Sequence, residues 1–150
     1  MLISGNEAQM TYKVNQIRTA SKDQLLLMIY DIGISATKIA KNAIKDENNE
    51  MANKELQRAQ AALRELMNAL DVSAGEWANT LMSLYEFMHE QLVKANVSKD
   101  PDLIESVKLM LEELRAVWQE AIEKSRVESF AQEEMDHGEV RPQGGFDFAG

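Results

Sequence analysis

Four stretches of the chain repeat apolar residues at alternating spacings of three and four, the period of a helix with one buried face. In the first, Leu25, Ile29, Ile32, Ala36, Ile39 and Ala43 form a continuous seam. Ahead of it Ser21 and Gln24 make an S-x-x-Q capping box, and Asp23 sits near the positive end of the helix dipole. The polar run at 45–50 ends this period. The second seam is Leu56, Ala59, Leu63, Leu66 and Leu70, with Arg58, Arg64 and Glu65 turned outward. A break at 71–75 precedes the third: Trp77, Leu81, Leu84, Met88 and Leu92. Residues 96–100 close it. The fourth opens on Asp100 as cap and Pro101 at the first helical position, where proline costs no hydrogen bond. Its seam is Leu103, Val107, Met110, Leu114, Val117 and Ala121, flanked by Ile104, Leu111 and Trp118.

Four amphipathic helices on short loops predict an all-α fold, an antiparallel up-down four-helix bundle over residues 21–124. An N-terminal arm or cap, 1–20, precedes it. The segment 125–150 is acidic, glycine-containing and nearly seamless, which predicts a frayed end of the fourth helix and then a flexible, disordered tail.

The first helix carries more apolar residues than one seam needs. Leu25 to Tyr30 are six in a row and cover the whole circumference at about 100° per residue. Leu26, Leu27, Tyr30 and Ile34 form a second stripe, roughly 100–200° from Leu25, that a two-layer bundle has no evident place to bury. Met82, Tyr85 and Phe87 are a similar surplus on the third helix. Either the apolar arm residues Met10, Tyr12, Val14 and Ile17 cover the stripe, or it is a groove for an amphipathic partner segment. The two readings combine if the arm is a removable cover. The methionines suit an adaptable surface of that kind.

Charge and composition narrow the partner. A net charge of −9 disfavours nucleic acid and anionic membrane, both of which select Lys and Arg. The absence of cysteine excludes disulfides, zinc-thiolate sites and thiol nucleophiles, and fits a reducing cytosol. The start of the chain has no basic, apolar leader, and no run approaches the roughly 20 apolar residues that would span a bilayer. A four-helix bundle can hold a metal pair on Glu-x-x-His motifs, and two occur: Glu86 with His89, and Glu134 with His137. In the first, Glu86 points away from the helix seam and His89 lies to one side; the second falls in the polar tail. The helical body offers His89 alone as a histidine base, and no glycine-rich phosphate loop is present. The expectation is a binding protein that is not an enzyme and uses no metal or cofactor. A regulatory interaction domain of anti-activator type is the alternative, with a metal-binding bundle behind it.

The residues 12–31, "YKVNQIRTASKDQLLLMIYD", resemble the signature of the flagellin-specific export chaperones, the FliS family. So do 62–96, "ALRELMNALDVSAGEWANTLMSLYEFMHEQLVKAN", and "LEELRAVWQEAI" in the fourth helix, with Leu114, Arg115 and Trp118 in the family's places. The resemblance covers about residues 10–122. Two departures are Tyr30-Asp31-Ile32-Gly33-Ile34, where the family commonly has Tyr-Asp-Gly-Ala-Ile, and Ala74-Gly75-Glu76-Trp77-Ala78, where it has Gly-Gly-Glu-Ile-Ala. The resemblance implies a cytosolic chaperone that binds the disordered C-terminal segment of flagellin. It also implies that the chaperone prevents premature polymerisation and delivers the subunit to the flagellar type III export gate. Joined to the surplus stripe, it suggests Leu26, Leu27, Tyr30, Ile34 and Tyr85 as client-binding residues, with Tyr12, Asn15 and Gln16 of the arm.

Overall fold

The structure is a computed structural model that describes residues 21–138. Among them are four α-helices, α1 (Lys22–Lys45), α2 (Asn49–Ala69), α3 (Glu76–Ser98) and α4 (Pro101–Gly138), with a 3₁₀ turn at Val72–Ala74. No strand occurs among the described residues, and none of the helices is long and apolar enough to cross a membrane. The contacts divide the chain into one compact unit ending at Arg115 and a second beginning at Ala116.

The helix ends follow local chemistry. The Ser21 hydroxyl accepts from the Gln24 amide at 3.2 Å, and the Gln24 side chain accepts from the Ser21 amide at 3.1 Å, so the capping box forms as expected. Asn48 caps α2 by accepting from the Met51 amide at 3.1 Å. Asp71 accepts from both the amide and the hydroxyl of Ser73, at 2.9 and 2.6 Å, and these bonds hold its carboxyl below the ordinary range. α3 ends at Lys99, whose φ of 54° is the left-handed conformation of a C-terminal stop. Asp100 then caps α4 through the Asp102 amide at 2.9 Å.

Within the first unit the helices run antiparallel. Asp31 pairs with Arg115 (2.5 and 3.1 Å) and Lys41 with Glu105 (2.9 Å), ten residues apart on each helix and in opposite order. Asn96 donates to Asn53 at 2.7 Å, while Arg64 meets His89 at 3.1 Å, which sets α3 against α2 in the same sense. The centre is filled by Tyr30, Leu56, Leu63, Leu66, Tyr85, Met88, Leu92, Ile104, Val107 and Leu111, all essentially inaccessible. α2 matches its expected seam from Leu56 to Leu66, with Leu70 half-buried.

Three expected seams are corrected. On α1 the buried line is Tyr30, Gly33, Ala36, Thr37, Ala40 and Ala43, whereas Ile32 and Ile39 are 43% and 38% exposed. The buried face is thus turned by roughly 70° from the expected one, at about 100° per residue. The cause is close approach. A Cβ on Gly33 would stand 3.2 Å from Leu111 Cδ1 and 3.7 Å from Ala62 Cβ, so α1 presses on α2 and α4 at once. Only glycine, alanine and a back-bonded threonine fit there; Thr37 donates to the carbonyls of Ile34 and Gly33 at 2.8 and 3.0 Å. On α4 the expected flank, Ile104 and Leu111, is core together with Val107. Val117, over 100° round from that line, and Ala121 are exposed. On α3 the place expected for Trp77 is taken by Ala78 and Tyr85, and Trp77 is exposed.

The second unit holds α4 from Ala116 to Gly138. The helix continues past Lys124 to Gly138, and Val127, Phe130 and Met135 are exposed along it. The arm 1–20 and the tail beyond Gly138 lie outside the described residues.

Candidate functional site

The placement of the apolar residues on the described helices decides which of their faces can take up another chain. Tyr30 and Tyr85, expected on the partner face, lie in the core. Their hydroxyls are 2.6 Å apart, their rings tilted at 56° with centroids separated by 6.4 Å. Each hydroxyl thereby satisfies the other's polar group where water is excluded, and the pair ties α1 to α3. Leu26, Leu27 and Ile34 are half-buried. Tyr12, Asn15 and Gln16 lie outside the described residues.

The exposed apolar residues of α1 fall instead on the flank expected to be the bundle seam. Ile32 and Ile39 are open, and Leu25, Met28 and Ile29 beside them are half-buried. Their spacing of three, four and seven keeps Leu25, Met28, Ile32 and Ile39 on one strip of the helix. This strip borders α2, because the Arg58 guanidinium reaches the Ile32 carbonyl at 3.5 Å. In the antiparallel register set by Gly33 against Ala62, Ile39 comes level with Glu55, and exposed Met51 lies about one turn further on.

Glu55 is the unusual member. It is only 8% exposed, and its Oε2 has no hydrogen-bond partner. Arg58 Nε stands 3.6 Å away, inside ion-pair range but too long for a hydrogen bond. A buried carboxylate oxygen in that state costs free energy that a donor arriving from outside would recover. Sequence reasoning missed Ile32, Ile39, Met51, Glu55 and Arg58 as a group. The signal that could have found them is the run Gly33, Ala36, Ala40 and Ala43 opposite Ala52, Ala59 and Ala62: small residues mark the side where helices touch, so the bulky neighbours must stand at its edge.

Two other features involve charged side chains. A recess of about 660 Å³ between the end of α1 and the start of α4 is lined by Lys38, Lys41, Lys45 and Lys108 with Glu105. Glu105 pairs with Lys41 and Lys108, and the Lys41 hydrogen bond holds its carboxyl below the usual range. His89 faces Arg64 across α2 and α3, and burial followed by the guanidinium charge lowers its pKa. Among the described residues, no group of three or more histidines and carboxylates could hold a metal ion.

The arrangement can therefore take up another chain on an apolar strip with one buried acceptor at its edge. Comparison with known proteins bears on which chain. Residues 4–125 match the sequence model of the family described as flagellar protein FliS. The flagellar secretion chaperone FliS of Bacillus subtilis is 29% identical over 115 residues, covering 77% of this chain and 86% of that protein. The chaperone of the same name from Campylobacter jejuni is 31% identical over 119 residues, 79% of this chain and 93% of its own length. That from Escherichia coli is 27% identical over 111 residues, 71% and 79% respectively. A match across most of the chain, on the helices that build this bundle, means that the protein belongs to the FliS family of flagellar secretion chaperones.

Proposed function

We propose that this protein is the export chaperone of flagellin. It binds the disordered C-terminal segment of the subunit in the cytosol, prevents premature polymerisation, and delivers it to the flagellar type III secretion apparatus. The observation that carries the reading is the family match over residues 4–125. The surface chemistry supports it. A segment that folds on binding must offset an ordering cost of about 2–5 kcal/mol or more, which only a broad apolar contact supplies. The open and half-open residues of α1 provide such a contact on a chain whose net charge repels nucleic acid. No chemical step is involved; the protein acts by covering its client. Half-buried Leu26, Leu27 and Ile34 remain client contacts on the second stripe of α1, while Tyr30 and Tyr85 set the shape of the bundle beneath. Tyr12, Asn15 and Gln16 belong to the same reading as residues of a covering arm.

The test is calorimetric titration of the full chain with a synthetic C-terminal segment of flagellin from the same bacterium, followed by circular dichroism. One-to-one binding with a gain of helix is expected. Absence of binding, or equal binding of a scrambled segment of the same composition, would overturn the proposal.

A further inference from the structure

We infer that the recess between the end of α1 and the start of α4 binds a short polyphosphate, either free or carried by a nucleotide. Its lysines lie at least about 100° round α1 from Ile32 and Ile39, and the site is independent of the function proposed above.

The chain places the cations first. Lys38, Lys41 and Lys45 follow one another at spacings of three and four, which keeps them within about 60° on the last turns of α1. A lysine in the last turn favours the helix dipole, and that accounts for Lys45. It does not account for Lys38, about two turns earlier, or for Lys108, which enters the same recess from α4. Four of the chain's 16 Lys and Arg residues thus line one hollow of a protein whose net charge is −9. Asp46, Asp100 and Asp102 flank the recess in sequence but do not line it. Polyanions that the chain repels as a whole are attracted at this point.

The carboxylates position this set without neutralising it. Glu105 stands between Lys41 at 2.9 Å and Lys108 at 3.5 Å, and Glu112 meets Lys108 at 3.3 Å from one turn further along α4. The Lys108 side chain is only 15% exposed. Burial opposes its charge, but Glu112 and Glu105 outweigh burial and raise its pKa, so this inner cation is fixed and permanent. Among the described residues no carboxylate pairs with Lys38 or Lys45, and both side chains are exposed. Each ammonium offers three N–H donors to an arriving oxyanion. Size narrows the ligand. Lys38 and Lys45 are about 10 Å apart along the helix axis, too far for one phosphate group to bridge and close enough for a linked chain of two or three. The volume of about 660 Å³ suits a small molecule, for which pockets of about 300–1,000 Å³ are usual. Two turns of a partner helix, at about 10–12 Å across, would overfill it. Ile44 and Pro101 add apolar surface on which a nucleotide ring can lie.

The experiment titrates the full chain at low salt with tripolyphosphate, ATP and adenosine, read by calorimetry and by NMR of the backbone amides. Tripolyphosphate and ATP should each bind one to one and shift the amides of 38–45 and 102–108, whereas adenosine should do neither. Equal affinity for the two would identify the phosphate chain alone as ligand, and tighter ATP binding would add the nucleoside. Lys38→Gln combined with Lys45→Gln should weaken binding more than tenfold, with a melting curve close to that of the parent because both positions are exposed. Lys54→Gln combined with Lys94→Gln removes the same charge outside the recess and should bind as the parent does. No binding of either phosphate compound at millimolar concentration, or an equal loss in both double variants, would overturn the assignment. Tighter binding of a hexaglutamate peptide than of tripolyphosphate would also overturn it, since the recess would then belong to an acidic protein segment.

Discussion

The contact of α1 with α2 and the centre of the bundle solve the same packing problem in opposite ways. In the centre, large side chains from three helices interlock: Leu56, Leu63 and Leu66 against Tyr85, Met88, Leu92, Ile104 and Leu111. Between α1 and α2 the buried residues are almost all small: Gly33, Ala36, Ala40 and Ala43 on one side, Ala52, Ala59 and Ala62 on the other. Large residues hold helices apart and exclude water by filling the gap; small ones let the backbones approach and leave no gap. The second solution has a consequence for function. Bulky residues beside a close contact have no room inward, so Ile32 and Ile39 stand at its edge and remain available. Exposed apolar surface thus arises from how tightly two helices pack.

That contrast can be broken at either end. The largest effect is expected in the centre. Leu63→Ala removes a fully buried leucine that neighbouring bulky groups cannot replace, and should cost about 2–5 kcal/mol in denaturant unfolding. A loss under about 1 kcal/mol would mean that the centre collapses easily and that the contrast is overstated. Gly33→Val tests the other end. Its Cβ alone would stand 3.2 Å from Leu111 Cδ1, so the added bulk should overpack the α1 contact and cost about 1–3 kcal/mol, with a lowered melting temperature. A neutral result would show that α1 has slack.

Tyr30→Phe sharpens the comparison by removing a polar bridge in the centre. The Tyr85 hydroxyl loses its 2.6 Å partner in a site from which water is excluded, and a loss of about 1–2 kcal/mol is expected with the helical content unchanged. The smallest effect lies at the α2–α3 edge. Burial, and then Arg64, lower the His89 pKa in the folded state, so the unfolded chain takes up that proton first on acidification. The contribution is present above the ordinary histidine value and is lost as pH falls through the folded one. Melting temperature should therefore decline slightly from about pH 6.5 downward, and His89→Gln should remove that part of the slope. An unchanged slope would assign it to carboxylates instead.

Much of the fold was legible because it depends on local rules. Ser21 with Gln24, Asp100 with Pro101 and the 3.6-residue period act within a few residues of themselves, and those two helix starts and the connections at 45–50 and 96–100 followed directly. α2 was read correctly because its leucines face the centre, where size and burial go together. α1 was misread for the converse reason. Hydrophobicity there ranks isoleucine over alanine and glycine, but contact distance favours the smaller residues, and distance is not a property of one helix.

The linear order of residues determined that there would be four helices, where most of them begin, that the chain would be acidic, and which family it joins. Those follow from hydrogen bonding, periodicity and charge along a single strand. Tertiary structure alone decided which flank of α1 is covered, that Tyr30 and Tyr85 meet in the interior, and that Glu55 lies buried with one oxygen unsatisfied. Each of these depends on how near a second and a third helix come, a distance set jointly by side chains far apart in the chain.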